Sequence, residues 1–492
     1  MDTPEVLKEQ FKGYLSTCVK SARRTADSFF ITDNAVGGYL KYLNQLFDYN
    51  PEKWKHIKNI YSINKSSEAL ELFNQLLADP DFESHDRADA TWRSGALMYY
   101  VCFLRAKEFF SMPTRYQSST TVVNYDKYLN ALRTKPFLLL AGISGTGKSR
   151  IVRELAYKSC PNVDDLRSDN TTPGNYLMVA VKPNWHDSSE LLGYYSNISK
   201  KYVITPFIKF LIKAKKYPNV PFFVCLDEMN LAPVEQYFAE FLSVLETRRL
   251  TTNGIKSGVL IESKFLGELG ETEDLTLPNN VFIVGTVNMD DTTHQFSRKV
   301  IDRAMTIEMN GGNLENMFGH SSDLDYPDEV WSMEKELLTQ YVSADEVLSA
   351  YPDWAEKIKS DLPVRLENYN KCMKNTPFEV SYRVLNELVI YLGVLLDNEK
   401  NIDDNKFDIL VNTALDKILL MKILPRIEGD AEMFALSKEE REEIGENSIN
   451  NKLEWLKSVC PNILGTDDSL TAKNKLDEMI NRLDSGFTRF WP

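Results

Sequence analysis

The stretch from Pro136 to Arg150, PFLLLAGISGTGKSR, constrains the fold of this chain more than any other. An apolar run is followed by a glycine-rich turn and then by the start of a helical pattern. Glycines let the backbone curl with its N–H groups pointing inward, which makes a nest for phosphate oxygens at the positive end of a helix. The turn fills the pattern G-x-x-x-x-G-K-[ST] with Gly142, Ile143, Ser144, Gly145, Thr146, Gly147, Lys148 and Ser149.

This pattern predicts a buried strand, a phosphate-binding loop and a helix. The Lys148 ammonium is expected to reach the β- and γ-phosphates of a nucleotide, and the Ser149 hydroxyl is expected to ligate Mg²⁺. The alternative is an ordinary strand–turn–helix with chance glycines, and it is disfavoured because a matching acidic strand follows downstream.

The acidic strand is VPFFVCLDEMN, in which apolar residues from Phe222 to Leu226 end in Asp227 and Glu228. We expect Asp227 to hold Mg²⁺ through the metal's waters and Glu228 to polarise the attacking water. Paired acids at a strand end are common on protein surfaces, so this interpretation depends on the preceding phosphate loop.

A further apolar run, VFIVGTVNM, ends at Asn288, which could position the attacking water or could simply form a turn. Arg303 then precedes a fifth predicted strand. In a ring-shaped NTPase an arginine near this position enters the neighbouring subunit's site, although a local pair with Asp302 is the alternative. The repeated alternation of strands and helices predicts an α/β fold with a parallel sheet and right-handed crossovers.

These motifs, in this order, resemble the AAA+ superfamily. Three longer runs resemble its McrB-like branch, which is related to the dynein and MoxR groups: CLDEMNLAPVEQYFAEFLSVLE, VGTVNMDDTTHQFSRKVIDRA, and SYRVLNELVIYLG with KILPRIEGD. The resemblance covers roughly residues 116–430.

By position, the resemblance implies that Asn288 is the first sensor, Arg303 a finger acting on the neighbour, and Arg383 a second sensor on a helical lid. Without the resemblance, Arg383 would be interpreted as a surface charge. The family usually has proline where this chain has Arg298, which leaves open whether Arg298 supplies an additional finger. The run PNWHDSSELLGYY is expected to form a loop towards a central pore or a neighbour, or else to pack internally, through Trp185, Tyr194 and Tyr195.

The family also implies a homo-oligomeric, hexameric ring and a McrC-like endonuclease partner that acts on DNA. ATP is expected as the nucleotide, with GTP as the alternative, together with Mg²⁺. Two other functions stay open: a MoxR-like ATPase that remodels proteins without any DNA role, and a scaffold that binds nucleotide only to assemble.

We predict four domains: a helical N-terminal domain at residues 1–115, the AAA+ core at 116–310, a helical lid at 311–435 and a helical extension at 436–492. The first domain does not resemble a methylcytosine-binding module. It is expected either to dock and assemble or to recognise a target through scattered basic and aromatic side chains, namely Lys20, Arg23, Arg24, Lys53, Lys55, Lys58, Trp54 and Trp92.

Composition argues against several kinds of site and surface. The 6 cysteines form no C-x-x-C pair and the 5 histidines are scattered, so disulfide frameworks and zinc sites are not expected. A net charge of −14 argues against a chain coated in DNA-binding surface. The polar N-terminus and the absence of a long apolar run predict a cytoplasmic protein without a membrane span.

Overall fold

A computed structural model describes residues 8, 11–12, 33–111 and 125–491, except for positions 49, 52, 56, 58, 64, 89–91, 170, 290–296, 310–323, 325, 446–448 and 464–469. The chain divides into two compact units, residues 1–119 and 120–492. No helix in these described ranges is long and apolar enough to cross a membrane.

The first unit is helical in its described part, as the apolar spacing predicted. Its core is formed by apolar side chains such as Leu43, Leu72, Leu97 and Tyr100, which are at most 4% exposed. Its helices are α1 Asp33–Asn44, α2 Ser66–Leu77, α3 Pro80–Ala88 and α4 Trp92–Ser111.

Two of the side chains considered for target recognition have partners within this unit. Trp54 is only 5% exposed and stacks on Phe47 with ring centroids 5.7 Å apart. Lys53 donates a hydrogen bond to the buried carboxylate of Asp79 over 2.7 Å. Lys20, Arg23, Arg24 and Lys58 lie outside the described residues.

The described strands of the second unit are β1 Phe137–Gly142, β2 Tyr176–Ala180, β3 Tyr194–Ser196, β4 Lys201–Val203, β5 Phe222–Asp227, β6 Arg249–Thr251, β7 Gly254–Lys256, β8 Val259–Ile261, β9 Leu275–Thr276, β10 Val281–Asn288, β11 Met305–Glu308, β12 Glu428–Asp430 and β13 Phe487–Arg489. Five of them form a parallel sheet in the order β11–β1–β10–β5–β2, which confirms the predicted α/β fold class. The other described strands form four antiparallel pairs outside this sheet, β3–β4, β6–β7, β8–β9 and β12–β13.

Helices surround the sheet and then form a C-terminal helical region, residues 344–491. A π-helical turn, Leu419–Ile423, follows directly on one of these helices. The helices of the second unit are α5 Asp126–Thr134, α6 Lys148–Ser159, α7 Ser189–Leu192, α8 Pro206–Lys216, α9 Val234–Tyr237, α10 Ala239–Glu246, α11 Arg298–Ile301, α12 Ala344–Ala350, α13 Pro352–Cys372, α14 Tyr382–Asp397, α15 Asp404–Ile418, α16 Lys438–Ile444, α17 Lys452–Val459 and α18 Ala472–Leu483.

The central strands are apolar on both faces because the sheet is covered on both sides. All six residues of β1 are buried, as are seven of the eight in β10. Since the five strands are parallel, their carboxyl ends share one edge, which we call the carboxyl edge, and their amino ends share the opposite, amino edge. Every loop that follows a strand therefore begins at the carboxyl edge.

Buried ion pairs join the C-terminal helical region to the sheet. Arg133 in α5 pairs with Asp397 over 3.0 Å, and the Tyr341 and Tyr351 hydroxyls each donate to the same carboxylate over 2.7 Å. The Lys475 ammonium in α18 lies 2.6 Å from a carboxylate oxygen of Glu308 at the end of β11. These contacts set where the helices dock on the sheet.

Gly142 has a packing role that can be tested. A Cβ at this position would lie 2.2 Å from the carbonyl oxygen of Met309, so Gly142→Ala forces backbone to move. We expect a loss of about 3 kcal/mol in the free energy of unfolding, at the upper end for overpacking. Urea denaturation without nucleotide measures it.

Gly145→Ala is the matched control for this substitution. Gly145 has φ +83° but open space around its Cβ position, so only the left-handed backbone is penalised, by about 1 kcal/mol. Equal losses for the two variants would show that the contact with Met309 is not the limiting constraint.

Candidate functional site

The phosphate loop connects β1 to α6 at the carboxyl edge. Gly147 takes φ +83° and caps the amino end of α6, so the first N–H groups of this twelve-residue helix face the loop. The Lys148 side chain is buried, and its ammonium donates to the carbonyl oxygens of Gly142 over 3.1 Å and Ile143 over 2.7 Å. The loop thus combines a buried cation with a helix amino terminus, which is a binding arrangement for phosphate.

Ser149, the second residue of α6, faces the end of β5. Its hydroxyl donates to the Asp227 carboxylate over 2.5 Å, and the Thr286 hydroxyl donates to the same oxygen over 2.8 Å. Hydroxyl and carboxylate oxygens are the ligands that Mg²⁺ prefers, and Mg²⁺ in nucleotide sites takes one or two protein groups plus phosphates and waters. Ser149 and Asp227 therefore fit a magnesium ion bound together with a nucleotide.

Glu228 follows β5 in a left-handed conformation, φ 52° and ψ 49°, which costs a non-glycine residue on the order of 1–3 kcal/mol. Two contacts hold it there. Its backbone N–H donates to the Thr286 hydroxyl over 2.9 Å, and its side-chain Oε1 accepts a hydrogen bond from Asn288 Nδ2 over 3.0 Å. The catalytic-base candidate and the sensor candidate are therefore in direct contact.

Asn288 is held in turn by its surroundings. It ends β10 and pairs in register with Gly142 of the phosphate loop. Its carbonyl oxygen accepts a hydrogen bond from Asn230 Nδ2 over 2.9 Å. The sheet thus brings together at one edge Lys148, Ser149, Asp227, Glu228 and Asn288, all of which the sequence singled out.

Thr286 is a site residue that sequence reasoning missed. It is only 2% exposed, and its single hydroxyl contacts both the Asp227 carboxylate and the Glu228 backbone. A signal was available, because Thr286 lies two residues before Asn288 and alternate residues of a strand share a face. It was overlooked because threonine is an ordinary strand residue.

Arg303 lies at the amino edge, two residues before β11 begins, and therefore at the opposite end of the strands from the phosphate loop. Its side chain makes no ion pair or hydrogen bond with any residue that the structure describes. The neighbouring Asp302 carboxylate pairs with Arg426 over 3.0 Å rather than with Arg303. Arg298 is engaged within its own chain, since its guanidinium lies 4.8 Å from the ring centroid of the buried Phe378.

Arg383, expected as the second sensor on a helical lid, lies away from the phosphate loop of its own chain. Its guanidinium pairs with Glu246 over 3.1 Å, and Glu246 also pairs with Lys135 just before β1. Arg383 therefore lies at the amino edge, where it lines a cavity of about 280 Å³ with Asp302, Ser381, Val384 and Arg426. The docking of α14 on the sheet decides this position.

The aromatic residues of PNWHDSSELLGYY separate into two groups. Trp185 is only 5% exposed and packs edge-on against Tyr237, so the expectation that it contacts a pore or a neighbour is wrong. Tyr194 and Tyr195 lie in the β3–β4 hairpin and are 53% and 43% exposed. Ile198 in the connecting turn is 97% exposed, which makes it the more prominent apolar side chain of this hairpin.

Comparison with known proteins agrees with this geometry. Residues 137–306 match the family described as AAA domain (dynein-related subfamily). This part of the chain is an AAA+ domain. The match covers the whole sheet as far as the start of β11, and residues 335–487 match a family described as a domain of unknown function.

Individual relatives are distant. The chain is 25% identical over 178 residues to the type IV methyl-directed restriction enzyme EcoKMcrB subunit of Escherichia coli K12. That similarity covers 36% of this chain and 35% of the relative, so the chain spans about a third of the relative's length. A crystal structure of a Cytophaga hutchinsonii ATCC 33406 protein, provisionally described as an ATPase, covers 69% of this chain and 89% of its own at 15% identity and a TM-score of 0.36. The family and sequence matches support an AAA+ ATPase of the McrB-like or MoxR type, which confirms the predicted resemblance.

The role of Thr286 in the AAA+ domain can be tested by Thr286→Val, which keeps the shape of the side chain but removes both hydrogen bonds. Steady-state phosphate release is expected to fall about tenfold, because each lost buried hydrogen bond is worth about 1 kcal/mol or more. The affinity for a fluorescent nucleotide should change little, since the phosphate loop is untouched. Thr286→Ser retains the hydroxyl and serves as the control. Equal turnover by the two variants would contradict a role in holding Glu228.

Proposed function

We propose that this protein hydrolyses ATP, or GTP, with Mg²⁺ at the interfaces of a homo-oligomeric, hexameric ring. In this proposal hydrolysis drives a separate McrC-like endonuclease on DNA, in restriction or anti-phage defence in the cytoplasm. The observation that carries the proposal is the separation of Arg303 from the other site residues. It lies at the amino edge of the sheet, whereas the phosphate loop lies at the carboxyl edge.

That separation argues for hydrolysis between subunits. Strands of four to eight residues separate the two edges, and a strand rises about 3.3 Å per residue. An arginine side chain cannot bridge this distance to the phosphate loop of its own chain. It can serve the loop of a second copy if the amino-edge face of one subunit packs against the carboxyl edge of the next.

The residues at the carboxyl edge then have distinct tasks. The loop N–H groups and Lys148 bind the β- and γ-phosphates, and Ser149 and Asp227 would hold Mg²⁺, which would neutralise developing charge on the phosphates. Glu228 accepts a proton from the attacking water while Asn288, which already contacts Glu228, orients it. Arg303 of the adjoining copy stabilises charge on the transferred phosphoryl group.

Arg383 fits the same arrangement in its observed position. Because it lines the same amino-edge cavity as Asp302, the residue before Arg303, we propose that it reaches the neighbour's nucleotide rather than its own. Arg298 contributes less directly in this proposal, since its guanidinium is already stacked on Phe378. It would support the segment that leads to Arg303.

The DNA and nuclease roles rest on the likeness to the McrB subunit and remain the more specific part of the proposal. The exposed Tyr194, Tyr195 and Ile198 of the β3–β4 hairpin offer an apolar and aromatic surface for a polymer in the ring. A polypeptide could occupy that surface as well as a nucleic acid, and this keeps a MoxR-like protein-remodelling ATPase as the alternative.

Glu228→Gln tests the catalytic assignment. The substitution keeps the size of the side chain but removes the base, so phosphate release should fall at least about 100-fold with either nucleotide. Nucleotide binding should persist in Glu228→Gln and should be lost in Lys148→Ala. Comparing ATP with GTP on the native protein identifies the nucleotide.

Two additions to that assay separate the candidate functions. A rise in turnover on adding DNA or a McrC-like endonuclease would support the restriction role, whereas a rise only with a protein client would favour remodelling. Native turnover equal to that of Glu228→Gln under all these conditions would instead favour a nucleotide-assembled scaffold.

The trans role of Arg303 is tested by mixing two inactive variants. Arg303→Ala has an intact carboxyl edge but lacks the finger, and its turnover should fall about 1,000-fold. Glu228→Gln has a finger but lacks the base. Mixed rings should regain phosphate release, because some interfaces combine an intact Glu228 with an intact Arg303. Mixtures no more active than either variant alone would refute action between subunits.

A further inference from the structure

Lys422 is a buried cation whose contacts surround Arg303. It lies in the π-helical turn Leu419–Ile423, and its side chain is only 1% exposed. Its ammonium donates to the carbonyl oxygen of Asp302 over 2.7 Å and to that of Ala304 over 2.8 Å. Those are the residues immediately before and after Arg303.

A third contact links the Lys422 ammonium to other residues at the amino edge. It lies 2.7 Å from the Glu387 carboxylate in α14, whose other oxygen accepts a hydrogen bond from Lys135 over 2.6 Å. Lys135 lies two residues before β1, the strand that leads to the phosphate loop. Two of the three N–H donors of the ammonium are bonded to carbonyls and the carboxylate is its ion-pair partner, so the surroundings of Lys422 define its orientation.

The N–H groups around Arg303 are bonded within the turn itself, since that of Arg303 donates to the Val300 carbonyl over 3.0 Å and that of Ala304 to the Ile301 carbonyl over 3.2 Å. The helix α11, which precedes it, has only four residues, and the last carbonyls of a helix lack partners within the helix. Lys422 supplies partners to two carbonyls of this turn. Because the Arg303 side chain is not bonded to any described residue, the direction in which it leaves the surface depends on how this backbone is held.

We propose that Lys422 is a positioning residue for Arg303. Through Lys422, the C-terminal helical region sets the direction in which the Arg303 side chain projects towards the neighbouring subunit's site. This inference rests on the proposed hydrolysis between subunits. It assigns to a region matching a domain of unknown function a defined task in the neighbour's site. Misplacing a catalytic group by about 1 Å can cost about 100-fold in rate, so loss of this support should appear in turnover.

The test compares Lys422→Met with a matched control. In Lys422→Met the Glu387 carboxylate keeps Lys135 as a partner, so no buried charge is left alone. Lys452→Met removes another buried lysine of the same region, one that pairs with Glu440 and makes no ion pair or hydrogen bond with residues 302–304. The control therefore measures how much the loss of a buried ion pair in this region lowers kcat when Arg303 is not affected.

The expected result is a change in kcat alone. Lys422→Met should lower kcat by about 10- to 100-fold while the dissociation constant of a fluorescent nucleotide stays within about twofold. Lys452→Met should leave kcat near that of the native protein. Native kcat in a folded, assembled Lys422→Met would overturn the inference.

Mixed rings test whether the defect of Lys422→Met lies in its Arg303 rather than in its own nucleotide site. Rings of Lys422→Met and Glu228→Gln should regain turnover, because Lys422→Met has an intact site and Glu228→Gln supplies a correctly held Arg303. Absence of rescue here, together with rescue of Arg303→Ala by the same partner, would place the defect in the subunit's own site and overturn the inference. If Arg303→Ala is not rescued either, the proposed trans function itself fails.

If Lys422→Met does not fold, Lys422→Arg tests whether Lys422 positions Arg303. It preserves the charge opposite Glu387, but the forked guanidinium does not reproduce an ammonium centred between two carbonyls. We expect reduced kcat with unchanged nucleotide affinity, and rescue by Glu228→Gln. A folded Lys422→Arg with native kcat would show that Lys422 has only a structural role.

Discussion

The parallel pairing of β1, β10 and β5 is the constraint on which the rest of this site depends. It sets Gly142 opposite Asn288, and Gly285 opposite Leu226, so that the phosphate loop, Asn288 and the Asp227–Glu228 pair all emerge at one edge. A shift in register of one residue would reverse the faces on which Thr286 and Asn288 lie. The Asp227 carboxylate, which accepts hydrogen bonds from both Ser149 and Thr286, would then lose one of its partners.

Within that frame the strained residue of the site is supported by its neighbours. Glu228 adopts a conformation that non-glycine residues avoid, and the Thr286 hydroxyl and the Asn288 amide hold its backbone and its side chain. Strain of this kind persists only where the surrounding structure over-determines it. The carboxylate is thereby held against Asn288, which lies opposite Gly142 of the phosphate loop.

The second constraint is the docking of the C-terminal helical region by buried charges. Replacing buried ion pairs by apolar residues is often neutral or stabilising, so such pairs are weak evidence for net stability. They do connect specific residues of this region with α5 and β11. Burial lowers the pKa of Lys422 to about 8 in spite of the adjacent Glu387, which illustrates the desolvation involved. The same docking carries Arg383 to the amino edge, beside the segment that bears Arg303. The residues around the phosphate loop and the arginines are thus placed at opposite edges of one sheet.

The chain itself determined the parts of this protein that are local. The phosphate loop, the acidic strand end, Asn288 and the parallel α/β fold follow from contiguous apolar runs and from residues a few positions apart, because backbone periodicity and glycine conformation act over that range. Tertiary structure alone decided the rest. Trp185 is internal and Arg383 faces away from its own phosphate loop. Thr286 joins the metal-ligand candidate Asp227 to Glu228, and Lys422, to which the sequence analysis assigned no role, is buried against the turn of Arg303. Each of these positions depends on which face of one element packs against another element that is tens to hundreds of residues away in the sequence. Packing and charge pairing between the elements select that face, and the local sequence does not specify it.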